Sequence, residues 1–208
     1  QIANQNKDIK SSIEYASRIQ QAMLPPAELI KQFFNDYFIL FKPRDIVSGD
    51  FYYFSQREGK IIFSAVDCTG HGVPGAIMSI LGNTLLNNVV NEIVDFTAAK
   101  ILNELRIRVK SALRQKGYDG ETRDGMDISL CIFDPQNQTI NYAGAYNPLF
   151  IIRKDELIVY NANKMPIGVY LREDNFTDNF IEFEKNDKLY IFSDGFHDQL
   201  GGERNTKF

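Results

Sequence analysis

The order of elements in this chain predicts an α+β fold with antiparallel sheets and helices on the outside. Three observations lead there. Runs rich in Phe, Tyr, Ile and Val flank one pair of helical segments, where a doubly wound fold would alternate strand and helix one for one. The stretch Arg57-Glu58-Gly59-Lys60 reads as a tight turn joining two of those runs into a hairpin. Pro25-Pro26 ends an N-terminal helical pattern, because proline cannot continue a helix.

In chain order, residues 1–24 come first. Ile2, Ile9, Ala16 and Met23 recur every seven residues, with Ile13 and Ile19 on nearby turns. This is either a surface helix of the domain or the end of a coiled coil that enters from upstream. If it packs on its own domain or on a second copy, Ile9, Ile13 and Ile19 should be buried. Strands are expected at 37–43, 50–56 and 60–67. Helices follow at 74–93, opened by Pro74 in the first turn, and at 97–116, with Thr97 as N-cap and Gly117 past the end. After a polar loop at 117–126, strands return at 127–134, 139–145, 149–153, 157–161, 176–183 and 188–193.

Composition narrows the function. Over 208 residues the net charge is −4, and no basic run offsets it, so nothing draws the chain toward nucleic acid. Cys68 and Cys131 are the only cysteines and His71 and His197 the only histidines, too few and too scattered for a zinc site or a disulfide framework. A reducing, cytoplasmic setting is the simplest expectation. No stretch reads as a membrane span. The start at Gln1 and the end at Phe208 read as those of a piece of a longer polypeptide.

The chemistry begins at the hairpin. A two-residue Glu58-Gly59 turn would set Asp50 opposite Asp67, their Cβ atoms about 5 Å apart. Two carboxylates that close repel unless a cation lies between them. Asp194 is a third, at the exit of the apolar run Leu189-Tyr190-Ile191-Phe192. All-oxygen donors of this kind suit Mg²⁺ or Mn²⁺ rather than zinc. Taken singly, each aspartate could equally be a turn residue or a helix cap. After Asp67 comes Cys68-Thr69-Gly70-His71-Gly72-Val73-Pro74-Gly75, whose glycines and following helix N-terminus suit an anion such as phosphate. Alone, such a loop is equally an ordinary turn.

Several stretches together resemble one family. Ser48-Gly49-Asp50-Phe51-Tyr52, Ala65-Val66-Asp67-Cys68-Thr69-Gly70-His71-Gly72-Val73-Pro74 and Phe192-Ser193-Asp194-Gly195-Phe196 look like the SpoIIE/RsbU branch of the PPM (type 2C) phosphatases. Ile13 to Pro25 resembles the lead-in helix of that branch, and Gly125-Met126-Asp127-Ile128-Ser129-Leu130 and Met165-Pro166-Ile167-Gly168 also match. The resemblance runs in order from about residue 9 to residue 207.

It implies an αββα sandwich of two antiparallel sheets flanked by helices, cut short at its C-terminal end. Residues 1–26 would be a linker or signalling helix and 27–208 the phosphatase domain. It implies two Mn²⁺ or Mg²⁺ ions: Asp67 bridging both, Asp50 and the Cys68 carbonyl on one, Asp194 on the other. Water activated by the ions would attack phosphoserine or phosphothreonine in line. The implied partners are a phosphoprotein, in this family often an anti-sigma-factor antagonist, an upstream sensor in the same chain, and a second copy joined through the N-terminal helix. The parent protein would be a bacterial signalling protein, cytoplasmic or membrane-attached through its N-terminal region.

The chain also departs from the family pattern. No Asp-Asp motif follows Asp194, so the alternative is an inactive phosphatase-like binding module. Gly144-Ala145-Tyr146-Asn147 carries no acid where some branches place one for a third metal. His71 lies four residues after Asp67, whereas the general-acid histidine of some branches lies two after it. His71, Asp127 and Arg44 remain candidates for supporting the ligands or touching phosphate, with Lys42 a weaker one. Cys131 reads as core and His197 as a loop residue.

Overall fold

The computed structural model describes residues 2–34, 36–117, 122–195, 200–201 and 206–207. Helices α1 (Ile2–Met23) and α2 (Ala27–Lys31) precede a hairpin of β1 (Phe51–Arg57) and β2 (Lys60–Cys68). Then come α3 (Gly72–Glu92), α4 (Ala98–Ala112), β3 (Met126–Asp134), β4 (Thr139–Ala145), β5 (Leu149–Arg153), β6 (Glu156–Tyr160), β7 (Asn179–Glu182) and β8 (Lys188–Tyr190), with a two-residue ladder of β9 (Leu200–Gly201) and β10 (Thr206–Lys207). One sheet runs β1-β2-β3-β4-β7 and a second runs β6-β5-β8. Every ladder between these strands is antiparallel.

The hairpin forms in the expected register, with Arg57 opposite Lys60. Glu58 (φ 52°) and Gly59 (φ 76°) both take left-handed backbone, which matches the twist of the flanking strands.

The period-two rule then sorts the strands into two faces. Phe51, Ile62, Val66, Ile128 and Leu130 pack with Leu86 and Val89 of α3 and Ile101 and Leu105 of α4. Phe63, Cys131 and Phe133 point the other way and meet Leu149, Ile151 and Leu189 of the second sheet. The molecule is therefore a sandwich: a helical pair, then two facing sheets. On β6, Leu157 and Val159 stay exposed.

Helix α3 has the length and apolar character of a membrane span, against the expectation that no stretch would. It is a core helix here, burying Met78, Leu86, Val89 and Val90. Thr97 caps α4 by accepting from Lys100 N–H at 3.3 Å. That helix stops at Ala112 rather than at 116, where Arg114 enters left-handed backbone (φ 54°).

The strand expected at 37–43 does not form. Apolar composition makes a strand only where a neighbour completes its hydrogen bonds, and no described strand pairs with this segment. Phe38 and Leu40 remain exposed. The strands expected at 176–183 and 188–193 are shorter, at Asn179–Glu182 and Lys188–Tyr190.

Against its own domain, α1 does not bury the expected stripe. Ile9 is 59% and Ile19 48% exposed, and Ile13 is half-buried. The face that packs is polar: Ser17 and Gln20 are its buried residues. Gln20 Nε2 donates to the Ser48 carbonyl at 2.6 Å and to Ser79 Oγ at 2.7 Å, while Ser48 N–H donates to Gln20 Oε1 at 2.9 Å. The seven-residue stripe misses this because hydrogen bonds, not apolar area, fasten the helix. Gln20→Ala would leave these buried groups unpaired, at a cost of about 1–3 kcal/mol. Equilibrium denaturation should show it, and an unchanged midpoint would mean that the Gln20 bonds hold nothing.

Candidate active site

The β1–β2 ladder ends at Phe51↔Val66, and the next residues outward on the two strands are Asp50 and Asp67, whose carboxyls interact. On its other side Asp67 pairs with Asp127 of β3. Asp67 shares the face of Ala65 and Phe63, the face turned toward the second sheet. There the apolar layer between the sheets gives out. Asp194 arrives from the opposite side, in the turn that follows β8. The tertiary fold thus gathers Asp50, Asp67, Asp127 and Asp194, from three adjacent strand ends and a facing loop.

The electrostatics register the crowding. The Asp67 carboxyl is pushed up to about 8, first by burial, then by the charge of Asp50 and by contacts with Asp194. Burial, followed by the charge of Asp194, pushes Asp127 up to about 6. Asp50 and Asp194 both lie within hydrogen-bonding reach of the Asp67 carboxyl.

Ser193 Oγ donates to Asp50 Oδ2 at 2.8 Å, and Asp50 N–H donates to Ser48 Oγ at 3.0 Å. Both serines stand in the quoted motifs, yet sequence reasoning singles out neither. A serine directly before Asp194 was the available signal.

Glycines bring the loop after Asp67 against this cluster. A Cβ on Gly49 would lie 2.7 Å from the Gly70 carbonyl oxygen and 3.2 Å from that of Cys68. A Cβ on Gly75 would collide with the same Gly70 carbonyl and lie 3.1 Å from Gly49 Cα. The backbone carbonyls of Cys68 and Gly70 therefore crowd the chain just before Asp50. Thr69 anchors the loop to β3: its N–H and Oγ1 both donate to the Gly125 carbonyl, at 3.0 and 3.2 Å. Gly125 in turn abuts Ile167, whose backbone exchanges hydrogen bonds with Met126 at 2.8 and 3.1 Å. Two stretches remote in sequence, 125–130 and 165–168, thus meet beside the site.

The remaining candidates lie elsewhere or play other parts. His71 is 70% exposed at its side chain and turns Nδ1 to Asp45 Oδ2 at 3.3 Å. It immediately precedes α3 without a side-chain capping bond. Arg44 and Lys42 are exposed. Cys68 is buried, and burial drives its thiol far above the ordinary range, so its carbonyl is the useful group. Cys131 is fully buried in the layer between the sheets. His197 lies outside the described residues.

Among the described residues no three His, Cys, Asp or Glu side chains are already placed to hold a metal ion. The donor set nevertheless fits a hard divalent cation: carboxylates and a nearby carbonyl, all oxygen, concentrated until like charges oppose one another.

The profile of the Stage II sporulation protein E (SpoIIE) family matches residues 57–208. No curated protein matches the chain. Among solved structures, the SiaA-PP2C domain of Pseudomonas aeruginosa is 30% identical, over 99% of this chain and 79% of that one, with a TM-score of 0.86. The PP2C phosphatase domain of SpoIIE from Bacillus subtilis, solved with a fragment of its regulatory domain, is 22% identical over 74% of this chain and 43% of that one, with a TM-score of 0.61. The catalytic domain of the serine/threonine phosphatase PstP, solved with two manganese ions, has the same fold at 15% identity, over 76% of this chain and 75% of that one, with a TM-score of 0.54. By profile, by sequence identity and by fold, the chain belongs to the SpoIIE family of PPM (PP2C-type) phosphatases.

Proposed function

We propose that this chain hydrolyses phosphoserine or phosphothreonine on a partner protein, with two Mn²⁺ or Mg²⁺ ions, as the output domain of a bacterial signalling protein. The observation that carries this reading is the convergence of Asp50, Asp67 and Asp194 where the layer between the sheets ends. Asp67 lies between the other two carboxyls and would touch both ions; Asp50 and the Cys68 carbonyl would hold one, Asp194 the other. Bound there, the ions would supply a nucleophilic water at neutral pH and offset charge on the phosphoryl oxygens.

The chain's own residues do the rest. Ser193 and Ser48 fix the orientation of Asp50 through the bonds at 2.8 and 3.0 Å. The glycine contacts hold the 68–75 loop against Gly49, next to Asp50, and the first-turn N–H groups of α3, which lack intrahelical partners, would favour an anion. Asp127, beside Asp67, supports the cluster without a place of its own in the ligand set.

In this reading, α1 carries a signal from an upstream sensor in the same chain, because Gln20 grips Ser48, two residues before Asp50. Its exposed Ile2, Ile9 and Ile19 would meet a second copy. The substrate is a phosphoprotein of the anti-sigma-factor-antagonist type, and the setting is cytoplasmic.

The direct test is turnover of p-nitrophenyl phosphate and phosphorylated casein by the chain with Mn²⁺, with Mg²⁺ and with EDTA. Turnover is expected with either ion and none with EDTA. Activity indifferent to EDTA would remove the metal-based reading.

A further inference from the structure

We propose that Tyr146 and Tyr170 form the wall of the active site that receives the polypeptide flanking the phosphorylated residue, so that this pair selects protein phosphoesters over small ones. The inference rests on the phosphatase reading above and adds a specificity element to it.

Placement comes first. The β3–β4 ladder ends where Ile128 pairs with Ala145, so Tyr146 follows directly on the end of β4, while Asp127 precedes Ile128 on β3 and pairs with Asp67. The Tyr146 hydroxyl is pushed up first by its hydrogen bond with Tyr170, then by burial, and last by the charges of Tyr170 and Asp127. The Tyr146 and Tyr170 rings meet edge to face, with centroids 6.4 Å apart at 85°. Both stay accessible, Tyr146 at 41% and Tyr170 at 38%, and Leu171 beyond them is 83% exposed. An apolar, aromatic lip thus adjoins a strongly polar centre.

The backbone supplies a second, independent observation. Tyr146 sits in left-handed backbone at φ 57°. A bulky side chain there costs free energy that Asn or Gly would largely avoid. The turn is held from several sides: Tyr146 N–H donates to the Asn163 carbonyl at 3.0 Å, and Asn163 N–H donates to the Gly144 carbonyl at 2.9 Å. The Asn147 carbonyl accepts from Tyr142 Oη and from Ser129 Oγ, each at 2.7 Å. None of these bonds uses the Tyr146 ring. The backbone strain therefore presents a large aromatic face to solvent beside the carboxylates.

Tyr170 is set just as firmly. Its N–H donates to Glu173 Oε1 at 3.2 Å, and Glu173 is gripped by Lys110 of α4 at 2.7 and 2.6 Å. Two rigid rings with few rotors to order make an effective contact for an extended peptide. A small aryl phosphate lacks the flanking chain that would lie along them.

The test compares wild type, Tyr146→Asn and Tyr170→Ala with Mn²⁺ on two probes, phosphorylated casein and p-nitrophenyl phosphate. Each variant should raise KM for casein about tenfold with kcat kept, and leave the aryl phosphate kinetics unchanged. Tyr146→Asn should melt no lower than wild type, since asparagine tolerates the left-handed backbone. Equal losses on both probes, no change on either, or a lowered melting temperature of Tyr146→Asn would overturn the proposal. So would a changed oligomeric state of the variants in sedimentation, which would assign the aromatic lip to a second copy. If wild type turns over neither probe, the phosphatase reading itself fails and takes this inference with it.

Discussion

Asp67→Asn should abolish metal-dependent phosphate hydrolysis, by several orders of magnitude, while making the metal-free protein no less stable. The two effects have one cause. Asp67 is the half-buried carboxyl between Asp50 and Asp194, and both neighbours disfavour its charge. Without a cation, an amide of nearly the same shape removes repulsion and retains hydrogen bonding, so melting in EDTA should occur at the same temperature or higher. With Mn²⁺ the order reverses. Wild type should gain about 2.7 kcal/mol at a hundredfold excess over Kd, and the variant should gain much less, having lost the carboxylate proposed to touch both ions. Calorimetric melting with and without Mn²⁺, beside turnover of p-nitrophenyl phosphate, reads both effects. Equal activity of the two proteins would exclude the proposed mechanism outright.

Gly75→Ala should disable the site through a single added methyl group. The added Cβ would collide with the Gly70 carbonyl, lie 2.9 Å from the Gly70 carbonyl carbon and 3.1 Å from Gly49 Cα. These are backbone atoms, with no flexible side chain to swing away. Overpacking of this kind costs about 1–3 kcal/mol. Relief has to come from moving the 68–75 loop or the chain at Gly49, and Asp50 is the next residue. The expected result is a roughly hundredfold loss of turnover, since about 1 Å of misplacement suffices for that. Gly59→Ala is the control: nothing lies within 4 Å of its Cβ, so only its left-handed backbone (φ 76°) resists substitution. It should lose stability yet keep kcat. Comparable kcat losses in both variants would show that loop position does not govern the site.

Much of the centre was legible because it is local or periodic. Glu58-Gly59 defines a two-residue turn, strand geometry propagates that register, and Asp50 and Asp67 must then face each other. The Thr97 cap and the break at Pro25-Pro26 are likewise decided within a few residues. What failed depended on partners distant in sequence. Residues 37–43 have strand composition, but no neighbouring strand completes their ladder. Helix α1 shows an apolar stripe, yet Gln20 fastens it through Ser48 and Ser79.

The sequence by itself therefore determined the kind of fold, the hairpin register and the identity of the carboxylates, since turn chemistry, side-chain alternation and motif order all act along the chain. Only the tertiary structure decided which further carboxylates join Asp50 and Asp67. Asp194 reaches Asp67 because two sheets stack face to face, and Asp127 joins them because β3 pairs with β2 across 56 intervening residues of loop and helix between Cys68 and Gly125. It also decided that Tyr146 stands beside Asp127 in strained backbone, because that conformation is imposed by Asn163, Tyr142 and Ser129 and not by the tyrosine's own preference.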